Sequence, residues 1–479
     1  MSEEKQPDDK NDIDHATTTM IADEKKLLRK IQLCTIPFIC LVFFIEYIDK
    51  ISFGLSGVLG ILEGTHITHD QFGQLGTMFY VGFLVFQIPN SYLLQRLPTS
   101  KYLGTVITLW GVTLGCMALA RNYAQLAAMR FILGALESVS YPALYLVITT
   151  MYRRSEQVTF FGLGYVSGCI AAPVGGLVAF GSGQLYASHL SNIPGWKWNM
   201  IILGSVTVVL GVCIFTFLPD KPTSRWLRLQ PHEYPIVAAR THDNGVVANR
   251  KLQWSHVIES IQEPRFYCYL AAVTLGNVQN GCLQIFASML IKELGFTGLD
   301  ATLLQIPLGV FNGILVVVLS KVSRRTGEIH YVGILGTTIS LIGAIILCAL
   351  PNGPVKLLGV YLGPNVFINV FSQASISSNI KGSTKKILYT SINIIGYGLG
   401  HLLGPLMMVE SQQPRYILPL IGYIIADIIS IALVWYLRWS FKQENRKRET
   451  MQGAWTPSSS DNEEQDLTDK QDLYFRYKL

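Results

Sequence analysis

The chain has 479 residues, of which 50% are hydrophobic and only 15% are charged, with a mean hydropathy of +0.34. Soluble globular domains carry about 25% charged residues, so this composition excludes an ordinary soluble domain and favours a chain surrounded mainly by lipid. The charges crowd into residues 1–30, 219–265 and 438–479. The net charge of +6 is therefore better explained by basic loops on one side of a bilayer than by nucleic-acid binding.

Motifs of known enzyme and metal chemistry are absent from the sequence. It has no phosphate-binding loop of the form GxxxxGK[ST], no HExxH and no GxSxG. The eight cysteines lie in apolar stretches without a CxxC pair or a histidine cluster, so we expect neither disulfides nor a metal site. We expect no enzymatic activity, no cofactor and, because residues 1–30 are polar, no cleavable signal peptide.

Twelve apolar stretches are long enough to cross a membrane as helices, since a hydrocarbon core of ~30 Å needs about 20 residues. They are 33–61, 72–94, 102–120, 123–151, 158–181, 198–218, 266–291, 300–320, 330–350, 355–378, 388–409 and 416–437. They predict an all-α integral membrane protein with twelve transmembrane helices in two pseudo-symmetric six-helix bundles. The expected divisions are a tail (1–30), a bundle (31–218), a linker (219–265), a second bundle (266–438) and a second tail (439–479).

The distribution of Lys and Arg predicts the orientation. If both ends of the chain are cytoplasmic, the cytoplasmic segments hold 31 of the 38 basic residues. The outer loops then hold five, which are Arg121, Lys197, Lys292, Lys356 and Arg415. We therefore expect cytoplasmic termini and a cytoplasmic linker in a multi-pass protein of the plasma membrane, or of an internal membrane such as the endoplasmic reticulum.

The two halves carry matching patterns of small residues followed by proline. The residues are Gly164, Gly168 and Pro173 in the fifth span and Gly396, Gly400, Gly404 and Pro405 in the eleventh. Small residues at every fourth position let helix backbones approach closely, and proline loosens a helix locally. Spans 5 and 11 are equivalent positions in a duplicated six-helix unit. We expect these residues to serve helix packing and gating, although each stripe alone is also typical of ordinary membrane packing.

Ionisable residues inside the spans are the functional candidates, because placing such a group in a membrane costs a few kcal/mol. Glu46, Asp49 and Lys50 share one face of span 1. Arg130 and Glu137 lie about two turns apart in span 4. A carboxylate held away from water can take up a proton, and Arg130 or Lys50 can hold a substrate carboxylate. The alternative is a set of ion pairs that only hold the two helices together.

Three polar residues in the later spans complete the candidates. Asn280 in span 7 is expected to supply a neutral hydrogen bond to the substrate from the second half of the chain. His401 in span 11 and Asp427 in span 12 are expected to be structural.

Short motifs along nearly the whole chain form a specific set. In the first half they are Asp49-Lys50, Phe79-Tyr80-Val81-Gly82, Gln87-Ile88-Pro89, Leu94–Pro98, Trp110-Gly111, Arg130–Gly134 and Glu137. In the second half they are Asn280-Gly281, Tyr361-Leu362-Gly363, Asn379–Lys386, Gly404-Pro405, Pro414-Arg415-Tyr416, Leu467-Thr468-Asp469 and Phe475-Arg476-Tyr477. Together they resemble the fungal allantoate permease family, a branch of the anion:cation symporters within the major facilitator superfamily.

The resemblance implies proton-coupled symport of a small organic anion. It implies proton coupling by Asp49 and Glu137, with Glu46 as a weaker candidate, and substrate binding by Arg130 and Lys50. The substrate classes of the family include allantoate and ureidosuccinate, vitamins such as nicotinate and pantothenate, short peptides and sulfur compounds. The expected partners are therefore a small anion, protons and the lipid bilayer, without nucleic acid, for a monomeric protein.

The sequence also departs from the family pattern, with Ser383 where a His is usual and His401 where an Asn is usual. These departures affect gating and specificity rather than the fold. Two other functions stay open: a nutrient sensor with a transporter fold, and a facilitator without coupling. The short tails argue against a sensor, and the acidic residues of spans 1 and 4 argue against an uncoupled facilitator.

Overall fold

A computed structural model of the chain describes residues 9–243, 253–351, 353–365, 367–413, 415–452, 467–472 and 474–479. Every regular element in these ranges is helical. Parts of the predicted tails and linker, together with Pro414 of the motif set, lie outside the described residues.

The helices of the first half precede a pair of short linker helices. The first half contains α1 (Asp9–Ser56), α2 (Ile61–Thr65), α3 (His69–Arg96), α4 (Thr99–Met117), α5 (Tyr123–Glu137), α6 (Ser140–Met151), α7 (Arg154–Ala187) and α8 (Gly195–Phe217). The linker contains α9 (Glu233–Asp243) and α10 (Trp254–Gln262). The second half contains α11 (Pro264–Glu293), α12 (Gly298–Leu303), α13 (Gln305–Thr326), α14 (Ile329–Ala349), α15 (Leu357–Leu362), α16 (Phe367–Asn379), α17 (Ser383–Leu406) and α18 (Ile417–Gln452).

These helices account for the twelve predicted spans. Nine stretches of the described residues are long and apolar enough to cross a membrane. The more polar helices α4, α11 and α17, with 19, 30 and 24 residues, are also of membrane-crossing length. Some spans are built from two consecutive helices. Span 4 consists of α5 and α6, and span 8 consists of α12 and α13. Span 1 ends at Ser56, earlier than predicted, because a turn with Gly60 at φ 93° follows it.

The start of α1, the linker helices and the tail segment 467–479 lie at one end of the molecule, called here the linker side. The nearly buried guanidinium of Arg240 in α9 lies 2.8 Å from Glu24 of α1 and 2.7 Å from Glu156 of α7. These ion pairs fix the first part of the linker to the first bundle.

A buried lysine fixes the last part of the linker and the tail to the second bundle. The ammonium of Lys385 in α17 lies 2.8 Å from a carboxylate oxygen of each of Glu259, Glu263 and Asp469. The hydroxyl of Tyr477 also donates to Asp469, at 2.8 Å. Burial alone would raise the pKa of Glu263, but the charge and hydrogen bond of Lys385 hold that pKa below its ordinary value. Lys385 therefore joins three separate segments of the chain.

We expect Lys385→Met to lower the free energy of unfolding by about 3–5 kcal/mol, because Glu259 and Asp469 would lose their cation and Glu263 would keep only the half-exposed Lys470, whose ammonium lies 3.0 Å away. Thermal unfolding of the purified protein in detergent measures the loss. Lys386→Met is the matched control, since the Lys386 ammonium bonds the Ser377 carbonyl instead. Equal melting temperatures for the two variants would contradict the expectation.

The two bundles contact each other in the half of the molecule that lies opposite the linker side. Ser288 of α11 donates to the carbonyl of Gly54 at 2.7 Å. Nearer the opposite end, the backbone N–H of Glu410 donates to the Asp70 carboxylate at 2.7 Å. These bonds run from the first bundle to the second and close the molecule on that side.

Both predicted gating prolines lie where the bundles meet. Pro173 of α7 packs against Gly309 of α13, where an added Cβ would lie 2.9 Å from the proline ring. The carbonyl oxygen of Pro405 in α17 faces Gly73 of α3, 3.3 Å from the position of an added Cβ. Residues that gate a transporter of two bundles should lie where the bundles meet, as these two prolines do. Their gating role itself stays a prediction.

The small residues of α17 bring that helix into backbone contact with α11. An added Cβ at Gly396, Gly400 or Gly404 would lie 3.1, 2.5 or 2.0 Å, respectively, from a carbonyl oxygen of α11. The distances at Gly400 and Gly404 are shorter than a Cβ tolerates, and the atoms in the way are backbone atoms. The helices α11 and α17 therefore pack as one tight pair.

The corresponding stripe of α7 packs less tightly against α1. An added Cβ at Gly164 would meet the ring of Phe43 at 2.5 Å, and a ring can move more easily than backbone. At Gly168 the nearest atom would be the Cβ of Tyr47, at an ordinary contact distance of 3.8 Å. Both glycines face α1, but only Gly164 is closely covered.

We expect Gly400→Ala to lower stability by about 1–3 kcal/mol, because its Cβ overlaps the α11 backbone and forces the helices apart. Gly168→Ala is the matched control and should leave stability unchanged, because its Cβ fits. The difference between the two variants is measured by their thermal unfolding temperatures and by their yields of monodisperse protein. If Gly400→Ala unfolds at the same temperature as Gly168→Ala, the close approach of α11 and α17 is wrong.

Candidate functional site

Three charged residues from α1 and α5 meet in the interior of the first bundle. The ammonium of Lys50 lies 2.6 Å from Glu46 and 2.6 Å from Glu137. Lys50 is 5% exposed, Glu46 1% and Glu137 0%. Attraction between opposite charges at this distance is strong where water is excluded. One ammonium and two carboxylates thus form a cluster, called here the Lys50 cluster, whose net charge is −1 when both carboxylates are ionised.

The position of Glu137 depends on an interruption of span 4. The helix α5 ends at Glu137, and α6 begins at Ser140. The amide of Asn90 in α3 donates to the carbonyl of Ala135 and to the hydroxyl of Ser138, each at 2.7 Å. These bonds satisfy polar groups at the end of α5. Because Ala135 and Ser138 lie on either side of Glu137 in the chain, the bonds also hold Glu137 in place.

Arg130 is buried, and among the described residues it forms no ion pair with a carboxylate. Its side chain is 3% exposed, and its guanidinium lies 4.0 Å from the ring centre of Phe53 and 4.8 Å from that of Phe79. The Nε–H donates to the Leu75 carbonyl at 3.4 Å. Within the described ranges, no carboxylate lies at ion-pair distance and the terminal nitrogens have no hydrogen-bond partner. The rings flank the cation, so its terminal N–H groups are open to an anion.

Close packing of α3 against α5 brings Phe79 to Arg130. An added Cβ at Gly134 would lie 1.8 Å from the carbonyl oxygen of Phe79, and one at Gly82 would lie 2.1 Å from that of Phe131. Only glycine allows this approach, so the small residues around Arg130 help to build the aromatic surroundings of its guanidinium.

Asp49 is held by a tryptophan. Its Oδ2 accepts a hydrogen bond from Trp110 Nε1 of α4 at 2.8 Å, and both side chains are almost completely buried. Its Oδ1 is buried without a hydrogen-bond partner in the part of the chain that the structure describes. The two cations near Asp49 are Arg130 and Lys50. Asp49 is therefore an acidic group with one neutral donor and one unoccupied oxygen.

The second bundle contributes aromatic and amide groups. Tyr80 of α3 donates to the Gln284 side chain of α11 at 2.5 Å, and its ring centre lies 5.1 Å from that of His401. His401 also packs on Tyr397, with ring centres 4.2 Å apart. The ammonium of Lys50 lies 5.9 Å from the centre of the Tyr397 ring. His401, expected to be structural, thus packs against rings that border the Lys50 cluster.

Asn280 is engaged within its own bundle. Its amide donates to Asn277 at 3.0 Å and to the carbonyl of Asn365 at 3.1 Å, and its oxygen accepts from the backbone N–H of Asn365 at 2.6 Å. Contact with a substrate would require these bonds to open, so its binding role stays a prediction. Asp427 is fully buried in α18 and forms no ion pair within the described residues.

The ion pairs differ in part from the simplest expectation. Glu137 pairs with Lys50 of α1 and not with Arg130, which lies two turns away on its own helix. Lys50 likewise pairs with Glu46 rather than with its neighbour Asp49.

No group of three His, Cys, Asp or Glu side chains that could hold a metal occurs among the described residues.

Two bundles of membrane-crossing helices with a charged site inside one of them define a membrane transporter. The family model of the Major Facilitator Superfamily matches residues 39–405. The chain belongs to this superfamily and is similar to fungal transporters that include an allantoate permease. Its relatives are transporters rather than enzymes, as the sequence predicts.

Several fungal transporters resemble the chain over nearly its whole length. An uncharacterised transporter of Schizosaccharomyces pombe is 31% identical, over 95% of this chain and 90% of the relative. The thiamine pathway transporter of Saccharomyces cerevisiae is 28% identical, over 94% and 86%. The allantoate permease of the same yeast is 27% identical, over 95% and 87%.

Solved structures confirm the fold at low identity. A bacterial homologue of the human lysosomal transporter Spinster, in an inward-facing and occupied conformation, has a TM-score of 0.61 at 14% identity, over 88% of this chain and 98% of that one. A nucleoside transporter has a TM-score of 0.62 at 11% identity, over 84% and 98%. These likenesses show the architecture and leave the substrate open.

Proposed function

We propose that the chain is a secondary active transporter that carries a small organic anion together with protons. The observation that supports this most directly is Arg130, a buried cation whose terminal N–H groups have no partner among the described residues. Buried donors without acceptors are costly, and the carboxylate of an anionic substrate would supply the acceptors. Allantoate, the substrate named for one relative, belongs to this chemical class.

Arg130 is the principal substrate-binding residue in this proposal, and Lys50 is the second. Lys50 is already held by two carboxylates, whereas the guanidinium of Arg130 offers a planar pair of donors that fits a carboxylate. Asn280 adds a neutral hydrogen bond from the second bundle once its contact with Asn365 opens. The substrate class is that of the family: ureides, vitamins, short peptides or sulfur compounds that carry an anionic group.

We expect Arg130→Lys to raise the KM for the substrate roughly tenfold while leaving expression intact, because Lys keeps the charge but loses the paired donors. Uptake into proteoliposomes measures the KM. Arg265→Lys is the matched control, since Arg265 also stacks on a ring, that of Phe441 at 4.6 Å, but binds Ser440 instead of the charged site. An unchanged KM for Arg130→Lys would favour a purely structural role for this residue.

The charges of the site supply a reason for coupling. When all are ionised, the three carboxylates Glu46, Asp49 and Glu137 and the two cations Lys50 and Arg130 carry a net charge of −1. A bound monoanion would change this to −2 in a poorly solvated place, and one proton would restore −1. Asp49 and Glu137 are the proposed proton-coupling residues, with Glu46 as the weaker candidate.

Asp49 is the carboxylate whose electrostatic surroundings change most directly when an anion binds Arg130. The substrate would neutralise Arg130, one of the two cations near Asp49. Glu137 feels the same change through Lys50, which it shares with Glu46. Uptake of a proton then allows the loaded carrier to move without additional buried charge.

We expect Glu137→Gln and Asp49→Asn to exchange substrate across a membrane but to fail to concentrate it, because an amide mimics a permanently protonated carboxyl. Counterflow and pH-driven uptake in proteoliposomes separate the two activities. Asp427→Asn is the control, since it changes another buried carboxyl that lies outside the Lys50 cluster, and it should keep most of the accumulation. Full proton-driven accumulation by both the Glu137 and Asp49 variants would overturn the coupling proposal.

The proposed orientation of the protein rests on the distribution of basic residues. We propose that both termini and the linker 219–265 are cytoplasmic, in a monomer of the plasma membrane. The contacts between the bundles then close the outer side. A screen of uptake by auxotrophic yeast with ureides, vitamins, dipeptides and sulfur compounds would identify the substrate. Signalling without uptake would instead support a nutrient sensor.

A further inference from the structure

We propose that Trp110 is a positioning residue for proton coupling, which orients the Asp49 carboxyl group and sets the pH at which it takes up its proton. This inference rests on the proposed function, because it takes Asp49 as a proton-coupling residue. It concerns α4, a helix that the sequence analysis did not connect with the site.

The contact between the two side chains is direct and shielded from solvent. Trp110 Nε1 lies 2.8 Å from Asp49 Oδ2, and Trp110 is 0% and Asp49 1% exposed. An indole N–H can donate a hydrogen bond but cannot accept one, so the carboxyl oxygen must be the acceptor. Of the charged groups around Asp49, Arg130 and Glu137 belong to α5 and Lys50 to its own helix. Trp110 is thus a neutral partner from a different helix.

A neutral donor suits a group that has to gain and lose a proton. A lysine or arginine in hydrogen-bond contact would hold Asp49 ionised, because an opposite charge strongly favours the charged form. A carboxyl group with no donor in this dry interior would stay protonated. One neutral hydrogen bond favours the ionised form to a lesser degree. With Trp110 as its donor, Asp49 should therefore change its protonation at a pH between those expected for a charged donor and for no donor.

The same contact decides which oxygen receives the proton. Oδ2 is occupied by the indole N–H, whereas Oδ1 is buried without a partner among the described residues. The proton adds at Oδ1, and Oδ2 can keep accepting the indole hydrogen bond in either protonation state. Asp49 thereby keeps one orientation through the transport cycle, with the reactive oxygen always the same.

The test compares Trp110→Phe with Trp196→Phe in proteoliposomes that contain the full chain. Trp196 is an equally buried tryptophan whose Nε1 has no hydrogen-bond partner among the described residues, so its variant controls for the loss of ring volume. Removing the Trp110 N–H favours protonated Asp49. The midpoint at which uptake declines with rising external pH should therefore move up by about one pH unit, or about tenfold in proton concentration. Trp196→Phe should leave the midpoint unchanged.

A second substitution covers the case in which Trp110→Phe does not assemble. Benzothienylalanine keeps the two fused rings of tryptophan but has sulfur in place of the N–H, so it removes the donor without creating a cavity. The same upward shift is expected. An unshifted midpoint with this residue, or with Trp110→Phe, would overturn the role of Trp110.

The variant Asp49→Asn separates this inference from the proposal on which it rests. If Asp49→Asn keeps the normal pH dependence of accumulation, Asp49 does not carry the proton, and both the role of Asp49 and that of Trp110 fall. If Asp49→Asn abolishes accumulation while both Trp110 substitutions leave the midpoint unchanged, only the role of Trp110 is wrong.

Discussion

The sharing of Lys50 between Glu46 and Glu137 is the interaction on which the candidate site depends. Charges buried away from water must be matched, and breaking a buried pair by removing one partner is strongly destabilising. Because Lys50 and Glu46 lie on α1 and Glu137 at the end of α5, the match also fixes the two helices to each other. Because Glu137 is held by Lys50, the terminal N–H groups of Arg130 have no partner among the described residues and can bind an anion.

Differences in packing determine which parts of the molecule can move together. The backbone contact at Gly400 makes α11 and α17 a rigid pair, and Lys385 fastens this pair to the linker and the tail. Tyr397 and His401, which lie on α17 beside the charged site, must follow any motion of this unit. A change of the second bundle would therefore move Tyr397 and His401 together, while the Lys50 cluster stays with the first bundle.

The sequence predicts the spans well because membrane solvation acts on whole stretches of residues, and it singles out the ionisable residues because each is unusual in lipid. It does not determine their partners, since these depend on the rotation of each helix and on contacts across the bundle. Glu137 is two turns from Arg130 on the same helix but bonds Lys50 on another. Trp110 carries no charge, so composition alone gives no reason to join it to Asp49. Asn280 illustrates the reverse case, because a polar residue in a span can be fully engaged by backbone groups of its own bundle.

Electrostatics also bears on the alternative of an uncoupled facilitator. A pathway for an anion alone would be expected to have an excess of positive charge, because each ion must enter without a compensating partner. The site instead has three carboxylates and two cations, all nearly buried, so an anion that entered alone would add to an existing negative charge. Arg130 provides a local place for the anion, but the surrounding charge opposes it unless a carboxylate is neutralised. The arrangement that attracts the substrate therefore also favours its arrival together with a proton.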